Sequence, residues 1–292
     1  MVELTLFPAS SEYRNLYTQA VHYFQVSDDE INEANMKSAM EVSVESIIEG
    51  LTSQIGQEPE IATLFLPSVF DWKMRSAATD AIFSEAQHAT VVGSTRRAAC
   101  YGFDFLQGKN LGRPISECND SGPKSLVLLL EYEKEYLYAW LVEVEFELGV
   151  YSPEKDRICK ECGEGYRETI GRQDYQERVD KFLRDFVELE VLAKNRREDI
   201  RAIIVSGEAS VAGAKELGHA ALAAVGTADV RLMTLFEPSE VVAHGASVVA
   251  RLTQEHPEHF ITRSTNRVLS DDEYSALVAE QKAREEAEHN EL

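Results

Sequence analysis

Arg201-Ala-Ile-Ile-Val-Ser-Gly-Glu-Ala-Ser210 reads as a buried strand that ends in a glycine turn. A helical run follows from about Val211, then an apolar strand near Val230-Met233, then Glu237-Pro-Ser-Glu-Val-Val-Ala-His-Gly-Ala-Ser-Val-Val-Ala250. Ala202-Ile-Ile-Val205 is a short β-branched run, as a buried strand requires. Ser206-Gly207 breaks it, because glycine lets the backbone turn tightly or approach a ligand closely. Pro238 suits a first helical turn, and Val242, Gly245, Ala246 and Val249 then fall on one helical face. The small residues Ala243, Gly245, Ala246 and Ala250 allow that helix to sit close to a neighbour.

Upstream, Arg172-Lys194 reads as a long amphipathic helix with Val179, Phe182, Leu183, Phe186, Leu189 and Leu192 on its apolar face. Before it, Ser125-Glu131 and Tyr136-Glu145 read as two strands around the turn Tyr132-Glu135, and Phe146-Tyr151 as a third strand. Gln107-Lys124 is polar and rich in Gly and Pro, a loop or linker. In the first part of the chain, Met1-Pro8 is expected as a strand, and Ser10 or Ser11 caps a helix. A second helix opens at Asp28 or Asp29 and ends at Gly56. Ile61-Leu66 is expected as a strand ended by Pro67, Asp71 caps a helix to about Ala86, Ala89-Val92 is a strand, and a helix runs from Thr95 to about Phe105. Ile61-Leu66 and Ala202-Val205 are expected as interior strands of two different sheets, each followed by a helix.

The stretch 201–252 resembles the end of the ATPase domain of the seventy-kilodalton heat-shock chaperones. In that family the loop after the strand holds adenosine, and the last helix begins with Pro-x-Glu and continues through Ala-x-Gly-Ala-Ala. Pro238-Ser239-Glu240 and Ala243-His244-Gly245-Ala246 stand in those places here. Ser206-Gly207 stands where the family has two glycines, and Ser210 where an arginine stacks on the purine. The resemblance implies Ser206, Gly207, Glu208 and Ser210 as nucleotide contacts, with ATP or ADP as the ligand and magnesium only alongside ATP. A second resemblance precedes it in the right order. The family's Val-Pro-x-x-Phe phrase is matched by Leu66-Pro67-Ser68-Val69-Phe70. Its Pro-Thr-Ala-Ala-x-x-Ala-Tyr-Gly phrase is matched by Ser94-Thr95-Arg96-Arg97-Ala98-Ala99-Cys100-Tyr101-Gly102. Gly163-Glu164-Gly165-Tyr166 resembles a family loop near the nucleotide.

The resemblance spans about Ile61-Leu252 and implies an α/β fold: an actin-like, ribonuclease H-like duplicated ATPase core of two lobes. The order helix, strand, helix, strand, helix, then hairpin, helix, strand, helix, strand, helix fits it. Residues 1–112 are expected as a first lobe incomplete at its N-terminus, 113–260 as a second lobe with a shortened helical subdomain, and 261–292 as an acidic C-terminal helix or tail. Ser270 and Glu273 make a capping box there, and 271–292 holds eight Asp plus Glu against two Lys plus Arg.

The chain departs from the family at the phosphates. Where the family's second phosphate loop reads Asp-x-Gly-Gly-Gly-Thr, this chain has Glu131-Tyr132-Glu133-Lys134-Glu135-Tyr136. Glycines let backbone N–H groups close around phosphate, whereas carboxylates repel it. The leading expectation is a catalytically silent nucleotide-fold protein acting by binding a protein partner. The alternatives are an ATPase with altered phosphate contacts and an interaction module with no small ligand.

Other features carry a functional and a plainer reading side by side. Glu131, Glu133 and Glu135 suit a divalent cation or a solvated turn, and the turn is preferred. Cys159-Lys-Glu-Cys162 suits a redox pair, half a zinc site completed by His256 and His259, or an incidental pair in a loop, which is preferred. Arg96 and Arg97 suit an anion grip or a solvated helix face, and the solvated face is preferred. Tyr136, Tyr138 and Trp140 alternate on one strand face and are expected to pack. No catalytic or metal-site spacing stands out. At 292 residues and 44% hydrophobic content the chain can bury a sizeable core. Its 51 acidic against 29 basic residues give a formal charge of −22, which repels nucleic acid and anionic lipid. No run approaches the ~20 apolar residues of a membrane helix, no secretory signal is visible, and a cytoplasmic or nuclear location is expected.

Overall fold

The computed structural model describes residues 42, 45–46, 48–50, 52–57, 63–70, 74–76, 78–79, 91–105, 109–112, 125–145, 149–151, 156–190 and 196–255. The strand expected at 1–8, the helix from Ser10 or Ser11, the caps at Asp28, Asp29 and Asp71, the capping box and the acidic segment 271–292 lie outside these residues.

The fold is mixed α/β, and its principal sheet grows around one apolar run. Leu126-Leu130 lies within β3 (Ser125–Tyr132), every residue of which is buried. A strand buried on both faces reads as continuous rather than alternating hydrophobicity, which is the pattern here. β4 (Leu137–Glu145) pairs with β3 antiparallel, Leu128 opposite Leu141. β7 (Ile200–Ser206) pairs with β3 parallel on the other side, Leu128 opposite Ile203. Beyond β7, β8 (Arg231–Met233) is also parallel. The outer edge of β4 carries two short antiparallel strands, β5 (Gly149–Tyr151) at one end and β6 (Asp156–Cys159) at the other. No strand is among the elements expected at Asp156–Cys159.

Parallel neighbours need crossovers. The connection from β6 to β7 contains α2 (Tyr166–Ile170) and α3 (Arg172–Glu190), and α4 (Val211–Val225) joins β7 to β8. One face of the sheet, with Leu126, Leu128 and Leu130, packs on Leu183 and Phe186 of α3 and Leu217 and Ala221 of α4. The opposite face, with Val127, Leu129 and Ile204, packs on Ala99 and Cys100 of α1 (Thr95–Gly102), on Phe105, and on Val241 at the start of α5 (Val241–Glu255).

β1 (Thr63–Leu66) and β2 (Val91–Ser94) form a separate parallel pair, so β1 and β7 lie in different sheets. Among the described residues, β2 is the one sheet neighbour of β1. Phe65 of β1 joins Ala98, Tyr101, Val242, Ala246 and Val249 in one cluster that binds this pair to α1 and α5. The small-residue face of α5 makes that packing possible. A Cβ on Gly245 would overlap the Ala98 carbonyl group, and one on Gly102 would stand 3.2 Å from the Gly245 nitrogen. Pro238 sits in the turn that leads into α5, three residues before the helix proper.

Candidate functional site

The loop after β7 is built around an unusual backbone angle. Gly207 has φ of 120°, a region closed to side chains, and a Cβ there would strike the Tyr132 carbonyl and the Glu133 carboxylate. The glycine therefore lets the loop lie directly against the end of β3. Ser206 closes β7 in a buried position, Gly207 and Glu208 are half-buried, and Ser210 is exposed. Ser210 is the N-cap of α4, its Oγ accepting from the Gly213 N–H at 3.0 Å.

Every backbone N–H of this loop from Gly207 to Ser210 is taken by the chain itself. Gly207 donates to the Pro238 carbonyl at 3.1 Å and Ala209 to the Tyr132 carbonyl at 3.1 Å. Glu208 donates to Glu133 Oε2 at 2.9 Å, and Ser210 to Glu164 Oε2 at 2.7 Å. The Ser210 hydroxyl also donates to Glu164 Oε1. Two carboxylates thus accept N–H groups at a strand–loop–helix junction, where backbone donors and the helix dipole favour an anion.

The hairpin that supplies Glu133 overturns the expected solvated turn. Glu131 and Glu133 are buried, while Lys134 is exposed and Glu135 half-buried. Glu131 lies in phase with Val127 and Leu129, so its side chain points into the same covered face. There Oε2 accepts from Thr95 Oγ1 at 3.0 Å and the Ser68 N–H at 3.4 Å, and Oε1 from the Tyr136 hydroxyl at 2.8 Å. The Ser68 and Thr95 hydroxyls pair at 2.8 Å. Glu131 is therefore a polar tie between the turn after β1, the start of α1 and the hairpin. Burial raises its pKa above the usual carboxylate range. Burial, reinforced by the negative charge of Glu131, raises that of Glu133 well above it.

On the other face of the hairpin, Tyr132 and Tyr175 share a hydrogen bond of 2.6 Å, and the Tyr175 hydroxyl donates to the Cys162 carbonyl at 2.8 Å. Burial pushes both phenols upward. Cys159 and Cys162 are bonded to one another at the turn after β6, which corrects the reading of an incidental pair. His256 and His259 fall outside the described residues. Among those described, no group of three or more His, Cys, Asp or Glu is placed to hold a metal ion.

Arg96 and Arg97 are also not a solvated face. Both are half-buried, Arg96 stacking 3.7 Å above the Trp140 ring and Arg97 lying 5.7 Å from that of Tyr101. Tyr136 and Trp140 are buried and Tyr138 half-buried, with Tyr138 and Trp140 ring centroids 4.3 Å apart, the packing expected of that face.

The structure thus brings Ser206, Gly207, Glu208 and Ser210 together with Glu131, Glu133 and Glu164. Sequence reasoning singled out Gly163-Glu164-Gly165 but not the bond from Glu164 to Ser210, nor the roles of Ser68 and Thr95. The phase of Glu131 with Val127 and Leu129 is the signal in the sequence that could have shown its burial. No helix among the described residues is long and apolar enough to cross a membrane. Set beside known proteins, the chain matches no family model and no curated protein.

Proposed function

We propose that this chain is a divergent, actin-like α/β protein of two lobes, related to the ATPase domain of the seventy-kilodalton heat-shock chaperones, that does not hydrolyse ATP and acts by binding a protein partner. The order from β3 onward supports the fold: hairpin, helix, strand, helix, strand, helix. The close α1–α5 crossing supports the reading of Ala243-His244-Gly245-Ala246 as the family's small-residue helix. Residues 1–112 and 113–260 would then be the two lobes.

One observation carries the functional reading. The chain's own carboxylates sit on the backbone donors of the loop that would meet a nucleotide: Glu133 on the Glu208 N–H and Glu164 on the Ser210 N–H. A triphosphate entering here would have to displace those acceptors and lie beside buried acidic groups. Phosphoryl transfer depends on positioning and neutralising the transferred group, and carboxylates in its place do the opposite. At an effective dielectric of ~20, two like unit charges 4 Å apart repel by about 4 kcal/mol.

Single-turnover hydrolysis with protein in excess over ATP, run with magnesium and with manganese, tests this. The expected result is no phosphate release above the buffer rate. Release that disappears in Glu131→Gln would replace the silent reading with an ATPase using altered phosphate contacts.

A further inference from the structure

The Cys159–Cys162 bond closes a ring of only a few residues. Loops that short remove little freedom from an unfolded chain, so such a bond stabilises weakly through chain entropy. Its position suggests a different use. Cys162 is fully buried while Cys159 is half-buried at the end of the exposed edge strand β6, so a reductant meets Cys159 first. Immediately after Cys162 the backbone is clamped to the β3–β4 turn: the Glu164 N–H donates to the Glu133 carbonyl at 2.8 Å and the Gly165 N–H to the Lys134 carbonyl at 2.8 Å. The Tyr175 hydroxyl holds the Cys162 carbonyl from the other side. Glu164, two residues beyond the bond, is the side chain that caps the Ser210 N–H and hydroxyl.

We propose that Cys159–Cys162 is a reversible redox-modification site, with small dithiols as its reductant class, whose state sets whether Glu164 stays on the first turn of α4. In the reducing step one thiolate of the dithiol attacks Cys159 Sγ, and the Cys159–Cys162 bond breaks. Cys162 leaves as a thiolate and takes a proton. The second thiol of the reductant then attacks the mixed disulfide and releases Cys159. The protein gains two electrons and two protons, and the reductant becomes the disulfide. With the bond gone, only the backbone clamps at Glu164 and Gly165 and the Tyr175 hydroxyl hold the turn, so Glu164 is fixed less firmly toward Ser210. The inference does not depend on whether a nucleotide binds.

The test uses the full chain. Protein oxidised with diamide, and the same protein then reduced with dithiothreitol, are compared by hydrogen exchange read at the Glu164, Gly165 and Ser210 amides. Mass spectrometry of the peptide carrying both cysteines reports the redox state. Reduction is expected to speed exchange at those amides by roughly ten-fold or more while β7 amides stay unchanged, and reoxidation to reverse it. Cys159→Ser is expected to behave as the reduced protein under both conditions. Should that variant not fold, the wild-type cycle decides alone. Equal exchange at Ser210 in fully oxidised and fully reduced protein would overturn the proposal. So would a peptide that never loses the two hydrogens of a disulfide under diamide.

Discussion

Gly245→Ala is the sharpest probe of the packing that joins the two parts of the chain. The added methyl would overlap the Ala98 carbonyl carbon and oxygen and lie 3.1 Å from the Ala98 Cα. These are backbone atoms of α1, so no side-chain rotation relieves the overlap, and the two helices must part. A gap of about 0.5–1 Å already forfeits a quarter to a half of each dispersion contact across it. The contacts at stake are those among Phe65, Ala98, Tyr101, Val242, Ala246 and Val249. Overpacking of this kind costs about 1–3 kcal/mol, and the rigid obstacle argues for the upper end. Against it stands the better helix propensity of alanine, about 1 kcal/mol. The net expectation is a loss of roughly 2 kcal/mol, or about 4–8 °C in Tm for a chain of this size class. Gly50 supplies the control, since it too is helical but a Cβ there meets nothing within 4 Å. Gly50→Ala should raise Tm by a few degrees at most. Thermal denaturation followed by circular dichroism reads both variants. A rise in Tm for Gly245→Ala comparable with that for Gly50→Ala would refute the close crossing of α1 and α5.

Glu133→Gln should stabilise the protein at neutral pH, because the amide keeps an acceptor for the Glu208 N–H while removing the buried charge. The folded pKa of Glu133 is raised, so its contribution to stability is fully present below the unfolded carboxylate range and is lost as pH rises through the folded value. The Tm advantage of Glu133→Gln over wild type should therefore be small near pH ~4 and grow toward neutral pH. An advantage that does not change with pH would contradict a buried Glu133 whose pKa is raised by burial and by Glu131. Gly207→Ala combines a φ of 120° with overlap on the Tyr132 carbonyl and should cost about 2–4 kcal/mol in denaturant unfolding; an unchanged midpoint would refute the loop geometry. Ser210→Ala removes the N-cap of α4 and should cost about 1 kcal/mol by the same measurement.

Much of the sheet was legible because its residues obey local rules. Leu126-Leu130 and Ala202-Val205 are unbroken apolar runs of strand length, and each became a strand buried on both faces. Gly207 broke the second run where the backbone does turn. β6 was not legible, because Asp156–Cys159 lies exposed on the sheet edge and carries no apolar period. The burial of Glu131 and Glu133 was hidden by their charge. Composition alone places carboxylates in water. Strand phase together with Ser68 and Thr95 arriving from distant positions explains why Glu131 is inside, and the Glu208 N–H accounts for Glu133. Arg96 and Arg97 were misjudged for a related reason: a cation stacked on Trp140 looks, in sequence, like any exposed helix residue. The Glu164–Ser210 bond joins residues 46 positions apart and left no trace in local pattern.

On the proposed function, the loop at 206–210 is closed to phosphate by the chain's own carboxylates. Isothermal calorimetry with adenosine, ADP and ATP, each with and without magnesium, reads this out. ATP is expected to bind no more tightly than adenosine under any of these conditions, because the phosphates add repulsion and find no free donors between Gly207 and Ser210. ATP binding ten-fold or more tighter than adenosine in magnesium, worth about 1.4 kcal/mol from the triphosphate, would contradict it.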